Sequence, residues 1–238
     1  VKSRIILALD GMTIPDATIL ANELREYVVG GKANDLLDEG GAAVLNPLNF
    51  VLRMADPKLH DIPATVGNRM AKYADNAHFV TVHASNSPAA LRKAAQVANK
   101  YGLQAIAVTV TTDISGRQCR HIYGDGTKVK VLQFVRKAMA AGVHGIVCSP
   151  KEVKWVRQVW ATGIIIVPGI RSQGEAHNDQ VRVGTPYQAI IDGANYLVVG
   201  REITGKPDRD SKIAAAVRIN REVDRALVAR ATQDKIAA

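Results

Sequence analysis

Three observations predict a single-domain α/β protein, a closed (β/α)8 barrel of the TIM class. Apolar strand-like runs alternate with helix-like segments along the whole chain, which implies parallel strands joined by right-handed crossovers. Eight such units fit within 238 residues, close to the length common for this barrel. The residues expected at the C-terminal ends of the strands are ionisable or glycine, as active sites of this fold require.

Taken in order, residues 4–10 (RIILALD) read as a buried strand ending in Asp10. A helix follows over 15–27, with Ile19, Leu20 and Leu24 at helical spacing. A short second strand, 28–32, ends in Lys32, and a helix over 34–45 carries the breaker pair Gly40-Gly41. The third strand, 50–58, places Asp56 and Lys58 on one face if side chains alternate with period two. Pro63 suits the first turn of the helix that follows, near 64–74. A strand over 78–83 ends in His83, and an amphipathic helix over 89–101 leads to a buried strand at 103–110. Residues 111–128 read as a long polar loop. A helix at 129–141, a strand at 143–148 and a helix at 151–159 come next. The seventh strand, 163–167, runs into Pro168-Gly169 and a loop over 170–185. A helix at 186–192 and a last strand at 196–199 complete the barrel. A C-terminal helix from about residue 209 shows an apolar stripe of Ile213, Val217, Val223 and Leu227.

The composition is that of an ordinary globular protein, with 47% hydrophobic and 22% charged residues. No run approaches the roughly 18 apolar residues of a membrane span. The first residues lack the apolar core of a signal peptide, and two cysteines make no disulfide framework, so a cytoplasmic protein is expected. The six histidines and two cysteines show no zinc spacing, so no metal site is expected. A net charge of +9 raises the possibility of nucleic-acid binding. The basic residues are dispersed, however, and aromatics make up only 5%, which argues against a stacking surface and for a small anionic substrate.

Asp10, Lys32, Asp56 and Lys58 fall at the ends of the first three strands and so face one cavity. Alternating ammonium and carboxylate groups hold each other ionised and in place, which suits a proton donor acting at carbon beside a departing group. Strand seven ends in Pro168-Gly169-Ile170-Arg171 and strand eight in Gly200-Arg201. Backbone N–H groups near glycine and an arginine fork are suited to a phosphate, which this fold often binds at these two loops. His60 is expected to pack, and His83 to lie at the core or the rim.

These residues resemble the orotidine 5′-phosphate decarboxylase family. The matching pieces are LALD at 7–10, KAN at 32–34, DPKLHDIPAT at 56–65, VH at 82–83, IAVT at 106–109 and GIVCS at 145–149. They continue with PGIRSQG at 168–174, DQVRVGTP at 179–186 and VVGR at 198–201. The resemblance implies decarboxylation of orotidine 5′-monophosphate to uridine 5′-monophosphate with no metal or organic cofactor. It implies a catalytic tetrad of Lys32, Asp56, Lys58 and Asp61, with Lys58 protonating C6 of the pyrimidine as carbon dioxide leaves. Asp10 and Lys32 would bind the ribose hydroxyls. Gln173, Gly200 and Arg201 would hold the 5′-phosphate, with Arg171 among the binding residues and residues 171–185 forming a closing loop. A homodimer is implied, in which Asp61 and Thr65 reach the partner's site. Two departures from the family pattern stand out. Asp113 occupies the place of a ring-reading serine after strand five, leaving Thr111, Thr112 or Ser115 for that role. Gly30-Gly31 replaces bulkier residues, and Asn34-Asp35 is unusually polar. Two other readings are a metal-dependent sugar-phosphate decarboxylase or aldolase on the same barrel, and a non-catalytic nucleotide-binding protein.

Overall fold

The structure is a computed structural model that describes residues 3–172 and 182–237. Eight parallel strands form a closed barrel in sequence order. They are β1 (Ile5–Ala8), β2 (Gly30–Ala33), β3 (Leu52–Leu59), β4 (Phe79–His83), β5 (Gln104–Val108), β6 (Gly145–Val147), β7 (Ile164–Val167) and β8 (Tyr196–Val199). Pairing of β1 with both β2 and β8 closes the ring.

Around the ring lie α1 (Ile14–Leu24), α2 (Leu36–Gly40), α3 (Pro63–Ala71), α4 (Pro88–Lys100), α5 (Gly116–Tyr123), α6 (Thr127–Ala140), α7 (Val153–Val159), α8 (Pro186–Ile191), α9 (Arg201–Thr204) and α10 (Arg209–Ala237). Their starts are written locally. Thr13, Ser87 and Thr185 each accept a backbone N–H from the first turn, and a proline occupies one of the first two positions of α1, α4 and α8. Two apolar layers result. Ile6, Met54, Phe79, Ile106, Ile166 and Val198 pack inside the barrel. The larger core lies between the strands and the helices.

The structure differs from the sequence reading in five places. The helix expected over 34–45 breaks at Gly40-Gly41 into α2 and a 3-10 turn (Gly41–Leu45), because Gly41 adopts φ 63°. The polar segment 111–128 is not all loop, since Ser115 and Gln118 form a capping box that starts α5. Gly200 is followed at once by the short helix α9. The buried stripe of α10 runs through Ala216, Ile219, Val223 and Ala226, with Ile213 and Leu227 at its margin and Val217 half-buried. Finally, β3 begins at Leu52, and Phe50 instead turns its ring against Gly31, filling the space that a Cβ at that position would take. The glycine pair of β2 is thus the counterpart of a buried aromatic ring.

Candidate active site

The strand ends open into a cavity of about 600 Å³. Its charged wall is built by β1 to β4. Lys32 Nζ lies 2.8 Å from Asp10 Oδ1 and 3.1 Å from Asp56 Oδ2, and Lys58 Nζ lies 2.9 Å from Asp56 Oδ2. The central pair is enclosed, with the side chains of Lys32 and Asp56 each 8% exposed, whereas Lys58 is 38% exposed and reaches into the cavity. Burial opposes charge on Lys32, but Asp56 and Asp10 outweigh it and raise its pKa. Burial likewise opposes charge on Asp56, yet Lys32, Lys58 and the Thr81 hydroxyl together lower its pKa. The pair is therefore ionised at neutral pH, and its charges are fixed rather than solvated.

Lys58 shares a face with Asp56, as expected, but not by simple alternation. Ala55 pairs with Val80 and Leu59 with Val82, so β3 advances four residues against two of β4. The bulge places Lys58 at φ 46°, a conformation uncommon for a residue with a side chain. Thr81, fully buried on β4, stabilises it: its Oγ1 accepts the Lys58 N–H (2.9 Å) and donates to Asp56 Oδ1 (2.8 Å). The sequence reading missed Thr81. Its signal is a hydroxyl at the inward position between Phe79 and His83. Asn34 and Asp35 also belong to this wall. Asn34 Nδ2 donates to the Asp56 carbonyl, and the Gly11 N–H donates to Asp35 Oδ2 (2.7 Å) beside Asp10. That accounts for the polar pair after β2.

The opposite wall carries Pro168, Gly169, Arg171, Gly200 and Arg201. Gly169 takes φ 72°, which glycine adopts without strain. Arg171 is buried, and its Nη1 donates to the Ile170 carbonyl (2.6 Å). Gln173 lies outside the described residues. Between the walls, Thr111, Thr112 and Asp113 reach the cavity after β5. Ser115 does not, because its hydroxyl caps α5. Of the three hydroxyl residues considered for the segment after β5, Thr111 and Thr112 line the cavity and Ser115 does not.

Asp61 and Thr65 do not join Lys32, Asp56 and Lys58 in the cavity of this chain. Asp61 is exposed outside the cavity; its N–H donates to Asn86 Oδ1 (3.1 Å), and its Oδ1 accepts the Ile62 N–H (2.7 Å). Buried Asn86 also donates to the carbonyls of Leu59 and His83, so it ties the loops after β3 and β4 together. His60, expected to pack, is exposed with its ring edge-on to His83 at 5.8 Å. His60 follows the last residue of β3, where the chain leaves the barrel in an exposed turn before α3. Among the described residues, no group of three or more His, Cys, Asp or Glu side chains is placed to hold a metal ion. Likewise, no helix there is long and apolar enough to cross a membrane.

Fold and cavity define a (β/α)8-barrel enzyme whose cavity sets lysines and carboxylates locked in mutual contact against a wall rich in glycine and arginine. Residues 3–216 match the family described as Orotidine 5'-phosphate decarboxylase / HUMPS, and the chain belongs to it. A relative from Sphingopyxis alaskensis named orotidine 5'-phosphate decarboxylase is 38% identical over 217 residues, 87% of this chain and 95% of the relative. One of the same name from an Anaeromyxobacter species is 40% identical over 219 residues, covering 87% and 93%. The crystal structure of orotidine 5'-phosphate decarboxylase from Lactobacillus acidophilus superposes with a TM-score of 0.78 at 27% identity, covering 93% of this chain and 99% of that one.

Proposed function

We propose that this chain is a cytoplasmic carboxy-lyase that converts orotidine 5′-monophosphate to uridine 5′-monophosphate in pyrimidine biosynthesis. The observation that carries the reading is the Asp10–Lys32–Asp56–Lys58 array, in which Lys58 presents the more exposed of the two cavity-lining ammonium groups. The C6–carboxylate bond breaks, its electron pair stays on C6, and carbon dioxide leaves. Lys58 Nζ stabilises that developing charge and gives its proton to C6; solvent then reprotonates the amine. Because Asp56 and Lys32 are already ionised and fixed, no reorganisation is needed as the charge forms. Asp56 faces the departing carboxylate, Asp10 and Lys32 take the ribose hydroxyls, and Arg171, Gly200 and Arg201 take the phosphate. Asp61 and Thr65 lie outside their own cavity, which supports a homodimer in which each completes the partner's site. The loss of orotidine 5′-monophosphate ultraviolet absorbance, followed with purified protein and a chelator, tests the activity. Unchanged absorbance would refute it; the metal-dependent sugar-phosphate decarboxylase or aldolase class predicts no action on this substrate and an activity of its own that chelator removes.

A further inference from the structure

A buried ion pair outside the charged wall points to a residue that sets the base-reading segment. Arg182, 6% exposed, pairs with Glu152, 2% exposed, on the loop after β6. The other end of the Arg182 fork, Nη2, donates to the carbonyls of Val110 (2.7 Å) and Thr111 (2.8 Å). Glu152 is itself oriented by the Ser149 N–H, which donates to its second oxygen (2.8 Å). Three loops, after β5, β6 and β7, therefore meet at one guanidinium.

The held carbonyls belong to the segment whose next two residues, Thr112 and Asp113, line the cavity. Thr109 pins the start of the segment to the Val147 carbonyl, and the Ser115 cap pins its end. Arg182 fixes the stretch between. Stability alone is a poor explanation of the pair. Buried ion pairs yield little net stability, and Arg182 Nε is buried with no hydrogen-bond partner among the described residues. We infer that Arg182, oriented by Glu152, is a positioning residue that presents the Thr111–Thr112 segment to the pyrimidine ring. The inference rests on the proposed substrate and adds which residue sets recognition of its base.

The test measures dissociation constants of uridine 5′-monophosphate and ribose 5-phosphate for the wild type, Arg182→Lys and Glu152→Gln. Lysine keeps the charge but cannot span both carbonyls and the carboxylate. Glutamine keeps an acceptor for Ser149 while weakening the hold on Arg182, and is the variant read if Arg182→Lys fails to fold. Loss of a charge-assisted contact predicts an affinity for uridine 5′-monophosphate about ten-fold weaker or more. Ribose 5-phosphate, which lacks the base, should stay within about three-fold of wild type. Equal weakening of both ligands, or no weakening of the nucleotide, overturns the inference. Wild-type turnover of orotidine 5′-monophosphate is measured alongside, so that failure of the proposed activity is seen separately.

Discussion

Replacing Thr81 by valine removes one hydroxyl from the barrel interior and preserves the side-chain shape. Two hydrogen bonds go with it: the one to ionised Asp56 and the one from the Lys58 N–H. A hydrogen bond to a charged group is worth ~1.5–3 kcal/mol, and a buried N–H left unpaired costs a further ~1–3 kcal/mol. Thr81→Val should therefore destabilise the fold by about 3 kcal/mol or more, a large share of the ~5–15 kcal/mol typical of a domain. If the first of these contributions is also felt in the transition state, kcat/KM falls ~10–100-fold. The hydroxyl helps lower the Asp56 pKa, so its loss raises that pKa and shifts the acid limb of the pH–rate profile toward higher pH. Urea denaturation and steady-state kinetics across pH measure all three effects, and Thr81→Ser should restore them. A valine variant with wild-type kcat/KM and an unmoved acid limb would refute the claim that Thr81 sets the array.

Other outcomes follow from the same geometry. Lys58→Ala should abolish turnover, by at least ~10³-fold, and leave binding of uridine 5′-monophosphate largely intact in calorimetry. Mixing Lys58→Ala with Asp61→Ala subunits should restore partial activity, since a hybrid dimer carries one doubly impaired site and one intact site; no recovery despite demonstrated exchange counts against the shared site. Stability should fall in acid from two sources. His83, driven down to about 4 by burial and then by His60, Lys137 and Lys58, stays neutral when folded, so its contribution is complete above pH 6.5 and is lost as pH falls to about 4. That shift is worth about 3 kcal/mol at full burial, discounted to about 1–2 kcal/mol for a half-buried ring. Asp56 adds stability that is full above its ordinary pKa and is lost as pH falls through its lower folded value. Lys32 does the converse in alkali, where stability is lost as pH rises through its raised pKa; melting temperatures across pH test these signs. Gly31→Ala should cost ~1–3 kcal/mol through the Phe50 ring, read by thermal melting.

The strands were legible because parallel barrel strands are buried on both faces and read as short apolar runs, as in Ile164–Val167. The polar ends of those runs also located Asp10, Lys32, Asp56 and Lys58, since inward-facing side chains at the C-terminal strand ends of a closed barrel share one cavity. Helix α5 was hidden because only three of its eight residues, GRQCRHIY, are apolar, and of these Cys119 alone is buried. Thr81 and Asn86 were hidden for a different reason. Each acts through the backbone of another strand or loop, and such partners are fixed by register rather than by spacing in sequence. The same holds for Arg182, whose partners Glu152 and Val110 come from two other β/α units. The β3 bulge is also invisible to alternation, which puts Asp56 and Lys58 together either way.

Closure of the barrel through β1 carries a consequence for folding. Asp10 and the lysine–carboxylate wall arise from the first strands, and the glycine–arginine wall from the last two; the two groups pair directly where β1 meets β8. A nascent chain that has emitted only its first half can assemble the ion pairs, yet it has no opposite wall against which a ligand can lie. Long-range pairing of this kind is slow to form. A nucleotide bridging both walls recognises only the closed ring, so by mass action it draws partly closed chains toward completion. The ligand thus acts as a staple across the seam between first strand and last.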